Sequence, residues 1–324
     1  MAANTDRMPD RNAGGLRGVS PLRAIAASCL ALVLSFAFAL QLHFLDVGQG
    51  DGVVIVVPDG RAIVYDAGPD RHTMLDSLQR LGVTEVPLIV ASHAHADHIN
   101  GFPAVIDAFA PAFALDNGMP HTTLAYERYV GALERSGTHL LEPTARTITV
   151  GDVALHVLPA PGQPSWGHND NSVGLIIEYG DFRASLTGDA ERRLFEWWLA
   201  TVPDRLAPVQ VHKASHHGSV NGDTRAALAR LRPELVVVSA GADNPYGHPH
   251  AGALARYAEV GATVMRTDEH GNVTIRASSD GSYDVTTERS STTRAFRSLP
   301  PQAKTPRWTT ARHDQPPRTA HGAR

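Results

Sequence analysis

Ser92 to Phe102 reads SHAHADHINGF and follows directly on the apolar run Pro87-Leu-Ile-Val-Ala91. Four potential metal ligands, His93, His95, Asp97 and His98, fall within six residues. In an extended segment, residues two apart point the same way, so His93 and His95 can close on one ion. Asp97 and His98 come where the chain turns toward a helix and can reach a second ion. A surface loop that happens to be rich in histidine is the competing reading. Four ligands at this spacing, at the end of a buried-looking strand, argue against it. The stretch predicts a metal site.

Composition narrows the ion and the partner. The chain has 324 residues, 43 % of them hydrophobic, enough for one large domain or two small ones. Its single cysteine, Cys29, sits in the N-terminal apolar run, so the rest of the chain has neither disulfide nor thiolate ligand. Imidazole and carboxylate ligands suit zinc, manganese or iron. The net charge of −4 divides unevenly: +2 over 1–39, +7 over 289–324 and therefore −13 over 40–288. An acidic body is a poor generic grip for a polyanion, whose non-specific affinity comes from backbone neutralisation. Two divalent ions offset part of that charge locally.

The ends read differently from the middle. Ala24 to Leu40 (AIAASCLALVLSFAFAL) is uncharged and preceded by Arg17 and Arg23. It is at the short limit for a membrane span and long for the apolar part of a signal peptide. Ala37-Phe38-Ala39 fits a cleavage site, so residues 1–39 are expected to be a signal peptide. A single anchor, attaching the chain to the membrane through residues 24–40, is the second reading and a buried core helix the third. The protein is expected outside the cytoplasm, periplasmic or extracellular, or held on the outer face of the cytoplasmic membrane. Residues 40–286 read as one hydrolase-sized domain. Residues 287–324, rich in Ser, Thr, Pro and Arg, read as a disordered basic tail. No protein partner is predicted.

Within the domain, strands are expected at Leu42–Leu45, Val53–Val57 and Ala62–Tyr65, with a turn at Pro58-Asp59-Gly60. Helices are expected at Thr73–Leu81, where Met74, Leu75, Leu78 and Leu81 form an apolar stripe, around Val105–Phe109, and at Thr123–Ser136. The second half repeats the order. Asp51-Gly-Val-Val-Ile-Val-Val aligns with Asn171-Ser-Val-Gly-Leu-Ile-Ile, and Pro111-Ala-Phe-Ala-Leu with Pro233-Glu-Leu-Val-Val. Asp66 aligns with Asp189 and His93 with His216, so the Asp-to-His interval is the same in both halves. The duplication predicts two similar β/α layers packed face to face, with their sites meeting at one edge.

A dinuclear hydrolytic centre needs two ions about 3.5–4 Å apart and a bridging oxygen ligand. Asp189 is the leading bridge. It follows Phe182–Leu186 in Thr-Gly-Asp, where Gly188 permits close backbone approach; its competing role is a helix N-cap. Lys213-Ala-Ser-His-His-Gly-Ser219 follows an expected strand at Pro208–Val211. There the repeat favours His216 as ligand, leaving His217 facing substrate and Lys213 offering positive charge. His168, in a polar loop before a strand, is the candidate closing imidazole, with Asp170 or Asn169 as substitutes and a solvated histidine as the plain reading. His248 is a candidate for contacting substrate. Asp66 reads as the acceptor that fixes a ligating histidine's tautomer.

These residues resemble the metallo-β-lactamase superfamily, whose pattern His-x-His-x-Asp-His stands at 93–98. More narrowly the chain is similar to the hydrolase domain that ends the ComEC family of competence DNA-uptake proteins. The shared landmarks are FLDVGQGD at 44–51, Asp66-Ala-Gly68, SHAHADH at 92–98, NDNS at 169–172, Leu186-Thr-Gly-Asp189, HHGS at 216–219 and Asn244-Pro-Tyr-Gly-His-Pro249. The resemblance implies an α/β fold, a four-layer αββα sandwich, with a dinuclear zinc or manganese site at the edge of its sheets. It also implies hydrolysis, with phosphodiesters as the substrate class. One departure is plain: the channel proteins carry many membrane helices and this chain has one apolar segment at most, so a pore is not carried over. Combined, the reading is an exported hydrolase using a metal-bridging hydroxide on an anionic small molecule or nucleic acid. His93, His95 and His168 hold one ion; Asp97, His98 and His216 hold the other; Asp189 bridges; Lys213, His217 and His248 orient substrate. Lactam, lactone or thioester hydrolysis is the alternative enzyme, and a non-catalytic metal-bearing binding module the alternative class.

Overall fold

The computed structural model describes residues 39–296. Its first half runs β1 (Leu40–Phe44), β2 (Gly52–Val56), β3 (Ala62–Ala67), α1 (Thr73–Arg80), β4 (Leu88–Val90), α2 (Ala96–Ile99), α3 (Phe102–Phe109), β5 (Phe113–Leu115), α4 (Leu124–Ser136) and β6 (His139–Leu141). The second runs β7 (Thr147–Val150), β8 (Val153–Leu158), β9 (Gly174–Tyr179), β10 (Phe182–Leu186), α5 (Arg192–Thr201), β11 (Val211–Lys213), α6 (Arg225–Leu231), β12 (Leu235–Val238), α7 (Ala251–Glu259) and β13 (Thr263–Arg266). A short α8 (Thr267–His270) leads to β14 (Val273–Ala277), β15 (Tyr283–Thr287) and β16 (Ser290–Phe296).

The strands form two sheets, ordered β16-β15-β14-β1-β2-β3-β4-β5-β6 and β13-β12-β11-β10-β9-β8-β7. The repeat seen in the sequence is a repeat of topology. β1 to β6 and β8 to β13 each start with two antiparallel pairings and continue with three parallel ones. Antiparallel neighbours can be joined by tight turns, whereas the parallel pairs need crossovers, and the helices lie in those crossovers.

Side-chain alternation decides what each face meets. Leu42, Phe44, Val53, Ile55, Ile63 and Tyr65 of the first sheet share one buried cluster with Leu155, Val157, Leu175, Ile177, Leu235 and Val237 of the second. The intervening residues Val54, Val64 and Ile89 turn outward onto Met74, Leu78, Val105, Ile106 and Tyr129 of α1, α3 and α4. On the other side, Leu194, Phe195 and Trp198 of α5 cover Ile176, and Tyr257 of α7 packs with Val236 and Val238. Strands covered on both faces carry unbroken apolar runs, which is why these read as Val/Ile/Leu-rich. The result is the expected αββα sandwich.

Three expectations shift. Leu81 lies beyond α1 and is 39 % exposed, so it is not part of that helix's apolar stripe. The strand expected at Pro208–Val211 is β11, Val211–Lys213, which places Lys213 inside the sheet. The fold also continues past 286. β16 pairs antiparallel with β15 at the edge of the first sheet, and Phe296 stacks on Tyr283 with ring centroids 4.9 Å apart. Threonine-rich sequence reads as polar tail yet suits an edge strand with one solvated face. Arg289, counted with the tail, is tied to the body by a 2.7 Å ion pair with Asp46. At the other end, the segment expected to be a signal peptide or anchor, Ala24–Leu40, lies outside the described residues except for Ala39 and Leu40, and Leu40 is a buried residue of β1. Among the described residues no helix is long and apolar enough to cross a membrane.

Candidate metal centre

The ends of β3, β4, β10 and β11 deliver the polar residues to one edge of the sandwich. Their placement begins with Asp66, the residue at the end of β3, which is fully buried with φ 53°. Its carboxylate accepts from the Ser92 backbone N–H at 2.7 Å, the Ser92 hydroxyl at 2.8 Å and His98 Nδ1 at 2.8 Å. With its own proton given to Asp66, the Ser92 hydroxyl accepts from His93 Nδ1 at 3.0 Å. One carboxylate therefore fixes two imidazoles with their Nε2 lone pairs facing inward, as expected for Asp66 and extended here to His93. Gly188 makes room for this. It has φ 54°, and a Cβ there would stand 2.5 Å from Ser92 Cβ.

Asp189 lies at the centre. Its Oδ2 is 3.4 Å from His98 Nε2, 3.7 Å from His216 Nε2 and 3.9 Å from His93 Nε2; its Oδ1 is 3.5 Å from His217 Nε2. Asp97 Oδ2 is 3.6 Å from His98 Nε2 and 3.4 Å from His217 Nε2. His93 Nε2 and His95 Nδ1 are 2.9 Å apart, although Ser92–Ala94 form a bend and not the expected extended segment. The competing role for Asp189 is filled by another residue: Asp170 accepts from the backbone N–H groups of Glu191 and Leu194, both at 3.1 Å, at the start of α5. Asp170 is thereby removed as a substitute for His168, and Asn169 is turned toward Glu191 at 3.2 Å.

The tandem histidines exchange places relative to the sequence reading. His216 does hold the position equivalent to His93, just beyond β11. His217, however, is the buried one, while the His216 side chain is 20 % exposed and has its Nδ1 3.1 Å from Glu191. Both residues have positive φ, 48° and 54°, and this left-handed turn swings the second ring inward. His217 Nδ1 donates to the Ser239 carbonyl at 3.1 Å, leaving Nε2 as the lone pair between Asp97 and Asp189. Lys213 is corrected as well. It is wholly buried, paired with Asp51 and 3.4 Å from the Gly188 carbonyl, so its charge supports the floor of the site and does not face a substrate.

His168 stands beside His95 with ring centroids 5.5 Å apart. His248 lies on the opposite flank, 5.6 Å from the His216 ring and 6.0 Å from the His217 ring, beneath the exposed Tyr246. Asp51, Glu191 and His121 were missed as site residues. Asp51 stood in plain view in FLDVGQGD, and its polar character directly before an apolar strand was the available signal. Glu191 stands two residues beyond Asp189, and that nearness was its signal; His121 carries no comparable mark, because only the fold brings it near.

Burial alone would raise the Asp189 carboxyl and lower the histidines. Instead His217 and His98 hold Asp189 well below the usual carboxylate range. Burial is likewise outweighed at His98, which Asp189, Asp97 and Asp66 push well above the ordinary imidazole value. At His95 burial and the His98 charge outweigh the pull of Asp97 and Asp189 and take the imidazole down to about 4. Three acceptor atoms in this cluster, His98 Nε2, His217 Nε2 and Asp189 Oδ1, are buried without a hydrogen-bond partner. Ligand atoms of Asp51, His98, Asp189 and His217 all lie within 4.8 Å of one another. Unpartnered buried lone pairs converging on one point fit a divalent cation.

Residues 45–241 match the model of the metallo-β-lactamase superfamily, and the chain belongs to that superfamily of hydrolases. It is 24 % identical over 274 residues to ComE operon protein 3 of Bacillus subtilis, covering 76 % of this chain and 35 % of that protein. It is 25 % identical over 242 residues to Recombination protein 2 of Haemophilus influenzae, covering 72 % of this chain and 28 % of that one. The chain thus spans about a third of the length of these curated relatives. They bear out the narrower resemblance to the ComEC family. Among solved structures, CmlA, a diiron beta-hydroxylase from Streptomyces venezuelae, superposes with a TM-score of 0.48 and 17 % identity over 73 % of this chain and 54 % of that one.

Proposed function

We propose that this chain is an exported metal-dependent hydrolase acting on phosphodiesters, nucleic acid included. The observation that carries the hydrolase reading is Asp189, which lies within 4 Å of His93, His98 and His217 at once, the His98 and His217 Nε2 atoms being buried and without a hydrogen-bond partner. His93, His95 and His168 would hold one ion, Asp97, His98 and His217 the other, with Asp189 between them. Bound ions supply a Lewis acid and a water that is acidic near neutral pH. The chain's own part is positional: Asp66 and Ser92 lock the rings, Ser239 locks His217, and Lys213 neutralises Asp51 beneath them. The name of one relative, Recombination protein 2, supports nucleic acid as the anion. The leader-like segment at 24–40 supports export.

The test loads the full chain with zinc or manganese and compares a bis-nitrophenyl phosphate with a chromogenic lactam. Turnover of the phosphodiester alone supports the reading; turnover of the lactam alone replaces it, and turnover of neither sinks both. Two variants probe the ligand set. His217→Ala should lose about one metal equivalent by atomic absorption, because it removes one of the two buried nitrogens, with His98 Nε2, that lie between Asp97 and Asp189, whereas His216→Ala should lose less. Equal losses would return His216 to the ligand role. Asp66→Asn places an amide where an acceptor is required, and its metal affinity by competitive chelation should drop about 10–100-fold, the usual cost of losing an outer partner.

A further inference from the structure

His121 lies in the loop between β5 and α4, half-buried, and belongs to none of the sequence patterns. Its ring centroid is 4.5 Å from that of His168 and 5.7 Å from that of His95. Its hydrogen bonds identify its tautomer. Nδ1 accepts from the backbone N–H of Thr123 at 3.2 Å and lies 3.1 Å from the Thr123 hydroxyl. A backbone N–H can only donate, so Nδ1 carries the lone pair and Nε2 carries the proton. This is the reverse of His98 and His217, whose Nδ1 donates to Asp66 and to the Ser239 carbonyl and whose Nε2 is bare. The Asp-fixed and carbonyl-fixed rings are set up as ligands. His121 is set up as a hydrogen-bond donor.

Its place in the fold has a counterpart. β5 and β12 are equivalent strands of the two halves, and the loop after β12 carries His248, beside His216 and His217. The loop after β5 carries His121, beside His95 and His168. Each half thus adds one histidine from the same connection, and the two rings flank the metal centre from opposite sides.

We infer that His121 is a substrate-binding donor, its Nε2–H directed at an anionic oxygen of the substrate on the His95 side, and not a metal ligand. This rests on the proposed reading of the site as a hydrolase of phosphate esters. Thr123, which also caps α4 by accepting from Tyr126, is the residue that positions it.

Two variants separate the roles. His121→Asn keeps an acceptor for the Thr123 N–H but, being shorter, leaves no donor at the Nε2 position; His121→Gln extends an amide N–H to where Nε2 stood. Metal content, affinity of the metal-loaded protein for inorganic phosphate by calorimetry, and kcat and KM for bis-nitrophenyl phosphate are measured on the full chain. The expected result is unchanged metal content, phosphate binding weakened about tenfold in His121→Asn, the scale of one hydrogen bond to a charged oxygen, and recovery in His121→Gln. Loss of a metal equivalent in either variant would make His121 a ligand and overturn the proposal, as would unaltered phosphate affinity in His121→Asn. Absence of wild-type phosphodiester turnover instead sinks the proposed substrate class and leaves phosphate binding to judge His121.

Discussion

Asp189→Ala is expected to strip the protein of metal and of turnover together, while the chain still folds. Among the described residues, Asp189 is the one carboxylate within 4 Å of His93, His98, His216 and His217 at once. Its removal takes away the carboxylate that both proposed imidazole groups face, so neither group retains a complete donor set. Loss of an outer partner commonly costs 10–100-fold in metal affinity, and loss of this shared ligand should cost more than about 100-fold. Competitive chelation measures the affinity, and hydrolysis by the metal-saturated variant the activity. Circular dichroism should stay native, because Asp189 makes no bond that starts α5; Asp170 does that. A variant that kept two equivalents of metal and near-native rates would remove Asp189 from the centre.

Lys213→Ala should produce the largest loss of stability. Its ammonium is fully buried against Asp51, whose other oxygen is 3.2 Å from His217 Nδ1. Without the ammonium, Asp51, Asp66 and Asp189 remain as buried carboxylates with one fewer positive charge among them. Breaking a buried pair by deleting one partner typically costs about 3–5 kcal/mol, which urea unfolding can read directly. The double variant Asp51→Asn, Lys213→Met removes both charges and should recover most of that loss in the metal-free protein. If the single variant unfolds within about 1 kcal/mol of the parent, the pair does not carry the weight assigned to it. A role in contacting substrate would predict the opposite pattern, an unaltered fold with a raised KM.

Much of this was legible in the chain alone. The run of ligands at 93–98 announces a metal because four donors within six residues are kept close by the covalent chain itself, although the bend at Ser92–Ala94 that joins the His93 and His95 rings was not legible. The repeated spacing of Asp66 and His93 with Asp189 and His216 announces two equivalent β/α halves, because covalent spacing is preserved when a unit is duplicated. The apolar runs announce strands covered on both faces, and hence the sandwich.

What the tertiary structure decided is everything that depends on backbone sign or on contacts distant along the chain. Spacing placed His216 at the site but did not show that two consecutive residues adopt left-handed φ and turn His217 inward. Composition gave Lys213 a positive charge, while the register of β11 determined that Asp51, brought over from the other sheet, would absorb it. Thr-rich sequence after 286 looked unable to order itself, and an edge of the first sheet supplied the partner strand. His121 is the strongest case. No local pattern marks it, since the neighbours that give it a role, His95 and His168, are brought to it only when the loops of both halves close on one edge. Short-range geometry is written in the order of residues; long-range pairing exists only once the sheets are stacked.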